Sequence, residues 1–213
     1  FIEDKIIALG SGIARLRPGQ QQGIATFIDQ SVFNQPLTLC INGKEQTVKP
    51  GESINRQEAI TSLCWIHQGE KGYIILPKNK LELLIKTGKE VNTTDLKIAN
   101  KKPNFIIALN HGMNPGSELD DNYVYYLIPN VSKEEMKAKV ADLQKDIATT
   151  QNAASSHAAY SAADKTWQYA FFKPGTASVG KMEVTSEDVA LIMLRDNGNS
   201  WILSASNPMP DGK

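Results

Sequence analysis

Short apolar runs recur along this chain, each closed by a glycine, a proline or an Asn-Gly pair, and this punctuation limits the fold more than any other feature. The longest such stretch is Pro103 to Asn130, PNFIIALNHGMNPGSELDDNYVYYLIPN. It reads as two long strands joined by a polar turn. Phe105 to Leu109 is apolar on both faces, as suits a strand between layers. Asn110 to Gly116 breaks the run, and Tyr123 to Ile128 resumes it with aromatics that fit a pleated surface. Pro129 has no ladder donor and helps to stop the strand. One β layer is expected to end here and another domain to begin.

The same reading covers the rest of the chain. Strands are expected at Phe1 to Leu9, Gly23 to Val32, Leu37 to Ile41 and Glu45 to Val48. Further strands are expected at Ser62 to His67, Gly72 to Leu76, Leu81 to Thr87 and, more weakly, Asp95 to Ile98. Leu37, Leu39 and Ile41 alternate with polar or small residues, and Asn42-Gly43 is the pair favoured in a type I′ hairpin. Turns belong at Arg17-Pro18-Gly19 and Pro50-Gly51. The amphipathic helix is Lys133 to Ile147. Ser132 and Glu135 form a capping box, Val131 and Met136 a hydrophobic staple, and Met136, Val140, Leu143 and Ile147 one apolar stripe. Thr149 to Ser156 reads as a linker. Beyond it, Trp167 to Phe172, Lys181 to Val184, Val189 to Leu194 and Ser200 to Ser204 suggest a second, smaller antiparallel sheet. The expected class is mainly all-β. A sandwich over 1–148 ends in helix 133–147, and a small β domain fills 149–213.

Composition narrows the function. Lys plus Arg and Asp plus Glu number 23 each, so the net charge is zero. A nucleic-acid binder usually carries a basic excess. No apolar run approaches the roughly 18 residues of a membrane helix. The chain opens in mid-strand at Phe1 and stops at Lys213, so a piece of something longer is expected. Cys40 and Cys64 are too few for a disulfide scaffold and read as small buried hydrophobes. Gly10-Ser11-Gly12 has neither a helix nor a P-loop lysine after it, so it marks a bulge or turn.

His67, His111 and His157 lie far apart, with no Cys or carboxylate at metal-ligand spacing, so no metal site is expected. His67 reads as a hydrogen-bonded structural histidine, and His111 as a tie between its loop and the backbone. Trp65, Trp167 and Trp201 sit in apolar strands, where core packing is the expectation and sugar stacking the alternative. No serine occupies a nucleophile elbow. Asp120-Asp121 lacks a calcium ligand ladder. The basic pairs Arg15/Arg17, Lys78/Lys80 and Lys101/Lys102 read as solvated turns. From the residues alone, three classes stay open: part of an enzyme, a carbohydrate-binding module, and a structural β protein.

The order of motifs adds a resemblance. IIALGSGI (Ile6 to Ile13), TFIDQ (Thr26 to Gln30), WIHQGEKGY (Trp65 to Tyr73) and LNHGMNPGSELDDNYVYYLIPN (Leu109 to Asn130) resemble polysaccharide lyase family 8. FFKPGT (Phe171 to Thr176) and SASNPM (Ser204 to Met209) resemble the C-terminal domain of that family of hyaluronate, chondroitin and xanthan lyases. Phe27, Met113 and Asn207 depart from its usual pattern. The resemblance implies an antiparallel supersandwich followed by a small β-sandwich. It also implies β-elimination on an acidic, uronate-containing polysaccharide such as chondroitin sulfate, dermatan sulfate or hyaluronan. A Tyr, a His, an Arg and an Asn or Glu would act mainly on an upstream α-toroid, so no catalytic residue is carried onto this chain. Gly10, Gly12, Gln30, Trp65, His67, Gly72, Tyr73, His111, Gly112, Tyr123, Tyr125 and Pro129 match family motifs in a structural role. No cofactor is implied, and a secreted or periplasmic location is.

Overall fold

The computed structural model describes residues 4–14, 23–77, 81–88, 103–113, 122–145 and 150–209. In chain order the first elements are β1 (Ile6–Gly10), β2 (Ala25–Val32), β3 (Leu37–Ile41), β4 (Lys44–Val48), β5 (Ile54–Ala59), β6 (Cys64–Gln68) and β7 (Lys71–Ile75). They are followed by β8 (Glu82–Gly88), β9 (Asn104–Asn110), β10 (Tyr123–Pro129) and α1 (Lys133–Lys145). The last are β11 (Thr150–Ala153), β12 (Ser156–Ser161), β13 (Thr166–Phe171), β14 (Gly175–Val179), β15 (Met182–Ser186), β16 (Ala190–Asp196) and β17 (Trp201–Ser206).

Two antiparallel sheets form the first half. One has six strands in the order β1-β10-β7-β6-β3-β4, and the other has four in the order β2-β9-β8-β5. Their facing sides share one core, which includes Phe33, Leu39, Ile66, Tyr73, Leu83, Ile85, Phe105 and Ile107. The outer side of the six-stranded sheet carries a second cluster, where Trp65, Ile74 and Tyr126 meet Met136 and Leu143 of α1. With both faces covered, β6 is buried at every position. The expected alternation of Leu37 to Ile41 is lost for the same reason, and Thr38 is buried with its apolar neighbours.

The ends of α1 and of the hairpins follow local chemistry. The Ser132 amide donates to Glu135 Oε2 at 2.8 Å, and the Glu135 amide donates to Ser132 Oγ at 3.2 Å, a reciprocal capping box. Val131 and Met136 are both buried beside Gly72, where a Cβ would stand 2.4 Å from Met136 Sδ and 2.9 Å from Val131 Cγ1. Glu45 of β4 pairs with Lys133 and Lys137 at 2.9 Å each, which fixes the helix to the sheet edge. Asn42 and Gly43 both have positive φ, 49° and 78°, the I′ geometry expected of that pair.

The second half is a five-stranded sheet, β11-β12-β13-β16-β17, covered in part by the β14-β15 hairpin. Trp167, Tyr169, Phe171, Ala177 and Val179 form its core. Among the described residues the architecture is thus mainly β: two facing antiparallel sheets with one helix docked on the outside, followed by a smaller antiparallel sheet and its hairpin.

Several expectations are corrected. The two strands of Pro103 to Asn130 do not pair: β9 belongs to the four-stranded sheet and β10 to the six-stranded one, so the chain changes layer between them. The supposed linker 149–156 contains β11, which pairs with β12 from Thr150↔Ala159 to Ala153↔Ser156. Small polar residues suffice there because β11 is an edge strand with a specific anchor: the Asn152 amide donates to the carbonyls of Gly10 and Tyr123 at 3.0 and 2.8 Å. Three strands escape the apolar pattern. β5 is largely polar, and β12 and β14 are rich in small residues, so strong neighbours rather than their own propensity hold them in register. The turn at Arg17-Pro18-Gly19, the strand at Asp95 to Ile98, Ile147, Asp120-Asp121 and the basic pairs Arg15/Arg17, Lys78/Lys80 and Lys101/Lys102 lie outside the described residues.

Candidate functional site

A β-bulge in β2 places a polar cluster between the two sheets. The register of β2 on β9 shifts between Phe27 and Asp29. Simple alternation would put these two side chains on one face. The extra residue instead leaves Phe27 outside, opposite Ala108, and turns Asp29 inward, opposite Ile107. The Asp29 carboxylate accepts from Ser31 Oγ at 2.5 Å, from Lys71 Nζ at 2.7 Å, and from the Tyr73 hydroxyl. β2 and β7 belong to different sheets, so this cluster ties the two layers together. Burial alone would push the Asp29 carboxyl up, but the bonds from Lys71, Ser31 and Tyr73 together hold it below the ordinary carboxylate value. Burial, and then the neighbouring carboxylate, push the Tyr73 phenol far above its ordinary value. Tyr73 is therefore a donor that keeps its proton and is unsuited to act as a base.

A second cluster lies at one end of the sandwich. His111 Nε2 is 2.9 Å from Thr26 Oγ1. Its ring meets Tyr123 at 5.9 Å between centroids, and Tyr123 stacks on Tyr125 at the same spacing. Gly10 makes room for this ladder, because a Cβ there would lie 2.2 Å from Tyr123 Cε1. The His111 amide donates to the Ile24 carbonyl at 2.9 Å, and the Ile24 amide to the Gly112 carbonyl at 3.0 Å. Glu82 accepts from Gln57 and Asn110 at 2.6 and 3.1 Å.

The other positions singled out in the sequence serve separate places. His67 Nε2 donates to the Val131 carbonyl at 2.9 Å, joining β6 to the residue before the helix cap. Gly72 gives Met136 and Val131 room, Pro129 closes β10, and Gly12 turns the chain with φ of 62°. Gln30 is exposed on β2, and Trp65 is buried beneath α1. His157 Nε2 lies 2.8 Å from Ser11 Oγ, linking the second sheet to the first half. The three histidines are thus not brought together. Among the described residues no group of three His, Cys, Asp or Glu side chains converges as a metal site. Cys40 and Cys64 are free thiols, pushed up by burial.

Trp65 and Trp167 are buried, but Trp201 is 54% exposed, which corrects the expectation of core packing for all three. It sits on edge strand β17 and leans on Trp167, with ring centroids 5.4 Å apart and planes 42° apart. A pair of exposed, coplanar tryptophans, the strongest mark of a sugar platform, is not formed. Sequence reading missed Asp29, Ser31 and Lys71 because a bulge has no sequence signature in this strand. It missed Asn152 because a polar edge strand resembles a linker.

Comparison with known proteins assigns this arrangement. No curated protein matches the chain. Its fold is similar to that of chondroitinase AC lyase, with a TM-score of 0.73, 20% identity, and coverage of 98% of this chain and 29% of that one. Chondroitin AC lyase of Streptomyces coelicolor A3, solved with chondroitin sulphate, gives 0.65 at 21% identity, with 98% and 25% covered. Paenibacillus xanthan lyase gives 0.66 at 23%, with 97% and 20% covered. The chain thus spans less than a third of the length of each of these lyases. The family description "Polysaccharide lyase family 8, super-sandwich domain" matches residues 1–140, and "Polysaccharide lyase family 8, C-terminal beta-sandwich domain" matches residues 150–213. A bulged supersandwich with a docked helix, followed by a small β-sandwich and matched from end to end in that order, belongs to polysaccharide lyase family 8.

Proposed function

We propose that this chain is the β portion of a lyase that cleaves a uronate-containing polysaccharide by β-elimination. Chondroitin sulfate, dermatan sulfate and hyaluronan are the substrates to test. Its part is to wall the substrate cleft and fix the orientation of an α-toroid elsewhere in the parent polypeptide. It does not supply the reacting groups. The observation that carries this reading is the match of both β domains, in family order, in a chain that spans 29% or less of the lyases it resembles. A secreted or periplasmic location accords with a substrate of polymer size.

The chemistry supports the division of labour. Elimination beside a uronate needs three things at once: a neutralised carboxylate, a base at the C5 proton, and an acid at the leaving oxygen. Here His67 is bound to a backbone carbonyl, His111 to Thr26 and His157 to Ser11. The Tyr73 proton is held by Asp29. These groups hold the layers together, and they lie in separate places. Substrate clefts tend to form between domains, so the sugar contacts of this chain belong on loops that face the rest of the enzyme.

The test is release of unsaturated uronate, followed by its ultraviolet absorbance, on the three polysaccharides. The 213 residues alone are expected to give no product, and the complete parent polypeptide to give product. Robust product from the isolated chain would overturn the non-catalytic reading.

A further inference from the structure

Asparagine is followed by glycine twice in the chain, at Asn42-Gly43 and Asn197-Gly198. The pair carries its own chemistry. The side-chain carbonyl carbon of the asparagine is within reach of the next backbone nitrogen, and a glycine there puts no side chain in the way. At both glycines a Cβ would meet nothing within 4 Å, so room does not separate the two sites. The hold on the asparagine side chain does.

Asn42 is pinned at both ends of its amide. Its Oδ1 accepts from the Thr61 amide and hydroxyl at 2.9 Å each and from the Ser62 amide at 3.2 Å. Its Nδ2 donates to the Ala59 carbonyl at 2.9 Å. Swinging Cγ onto the Gly43 nitrogen would break all of these bonds together. Asn197 is exposed, in the connection from β16 to β17. Its backbone amide donates to the Ser200 carbonyl at 2.9 Å, and among the described residues its side chain has no hydrogen-bond partner. The Gly198 amide donates to Asp196 Oδ1 at 2.7 Å, so a carboxylate already sits on the proton that this nitrogen must release.

We infer that Asn197 is a site of spontaneous deamidation in the folded protein and that Asn42 is not. The Gly198 nitrogen gives up its proton and bonds to Asn197 Cγ. The Cγ–Nδ2 bond breaks, and the nitrogen leaves as ammonia with that proton. Water then opens the succinimide ring at either carbonyl, giving aspartate or isoaspartate. Nothing is oxidised or reduced, and water is the only co-reactant. Either product places a new carboxylate beside Asp196. Isoaspartate also adds a carbon to the main chain in the turn next to the Asp196↔Trp201 pair. The change therefore reaches Trp201, whose ring leans on Trp167 at 5.4 Å between centroids. The reaction needs no lyase activity and is independent of the function proposed above.

The complete polypeptide is aged in mildly alkaline buffer, and the peptides that contain Asn42 and Asn197 are followed by mass spectrometry. Asn197 is expected to convert at least on the order of tenfold faster than Asn42, which reacts only when its loop opens locally. Isoaspartate is expected among the products, because it arises only through the ring. In urea, where both side chains are released, the two sites are expected to convert at similar rates. Asp196→Ala should slow conversion at Asn197, and an equal or faster reaction would overturn the role given to Asp196. No conversion at Asn197 in the folded protein, or conversion no faster than at Asn42, would overturn the proposal. So would a difference that persists in urea, which would belong to the local sequence and not to the fold. Aspartate without isoaspartate would mean direct hydrolysis and would overturn the ring mechanism.

Discussion

Replacing Asp29 with alanine tests whether the polar cluster between the two sheets contributes to stability. Asp29 holds three partners, and they lose unequal amounts when it goes. The Lys71 side chain is 41% exposed, so its ammonium returns to water and forfeits little. Ser31 is partly exposed and also finds water. Tyr73 is only 2% exposed, and its hydroxyl would lose the acceptor it has now. An unpaired buried hydroxyl costs about 1–3 kcal/mol, and a lost bond to a charged group is worth a similar amount. Asp29→Ala should therefore destabilise by about 3 kcal/mol at neutral pH. Tyr73→Phe removes the orphan with the bond and should cost about 1.5 kcal/mol. The double variant carries no orphaned hydroxyl, so it should cost about 1.5 kcal/mol, less than Asp29→Ala alone, which leaves a coupling of about 3 kcal/mol.

Urea unfolding followed by tryptophan fluorescence, to which Trp65 contributes from the first half and Trp167 and Trp201 from the second, gives each value. The sign with pH follows from the carboxyl. The folded state holds Asp29 below its ordinary value of 3.8, so its contribution is present above that pH and is lost as pH falls through the folded value. The gap between wild type and Asp29→Ala should therefore close in acid. Additivity within about 0.5 kcal/mol, or a gap that persists in strong acid, would show that Asp29 and Tyr73 do not act as a charged, hydrogen-bonded unit.

Three further outcomes are expected. Ser132→Ala should lower stability by about 1 kcal/mol in the same urea assay, because it removes the acceptor for the Glu135 amide. Gly72→Ala should cost about 1–3 kcal/mol, since its methyl must displace Met136 Sδ and Val131 Cγ1, and Met136→Ala in the same chain should recover part of the loss. Burial holds His157 below its ordinary 6.5, so its contribution is intact above that pH and declines as pH falls below it toward the folded value. His157→Gln should flatten that part of a stability-against-pH profile, and an unchanged slope would count against the assignment.

The legible parts of this fold are those where local chemistry decides. The capping box at Ser132 and Glu135, the staple at Val131 and Met136, and the I′ turn at Asn42-Gly43 depend on residues within a few positions of one another. Sheet membership depends on distant partners. Nothing within Pro103 to Asn130 says that its two strands enter different sheets, because the same apolar residues suit a hairpin or a change of layer. β5 shows the limit from the other side: INRQEA has little apolar content, yet six register pairs with β8, from Ile54↔Thr87 to Ala59↔Glu82, hold it as a strand.

The candidate site was legible in identity and hidden in arrangement. His67, His111 and Tyr73 attract attention because their side chains can move protons. In the fold each is bound to a partner that fixes a boundary between elements: a carbonyl before the helix, a threonine on the adjacent strand, a carboxylate on the facing sheet. The residue that gives Tyr73 its role is Asp29, and Asp29 faces inward only because one extra residue in β2 reverses the alternation after Phe27. Polar residues buried between β layers must be paired, and a pair that spans two sheets also sets their spacing and register. A β portion that orients a catalytic partner needs that rigidity, since misplacement by about 1 Å at a reacting centre can cost a hundredfold in rate. In the function proposed above, His67, His111 and Tyr73 hold the wall still, and their loss should appear first in stability and only through it in turnover.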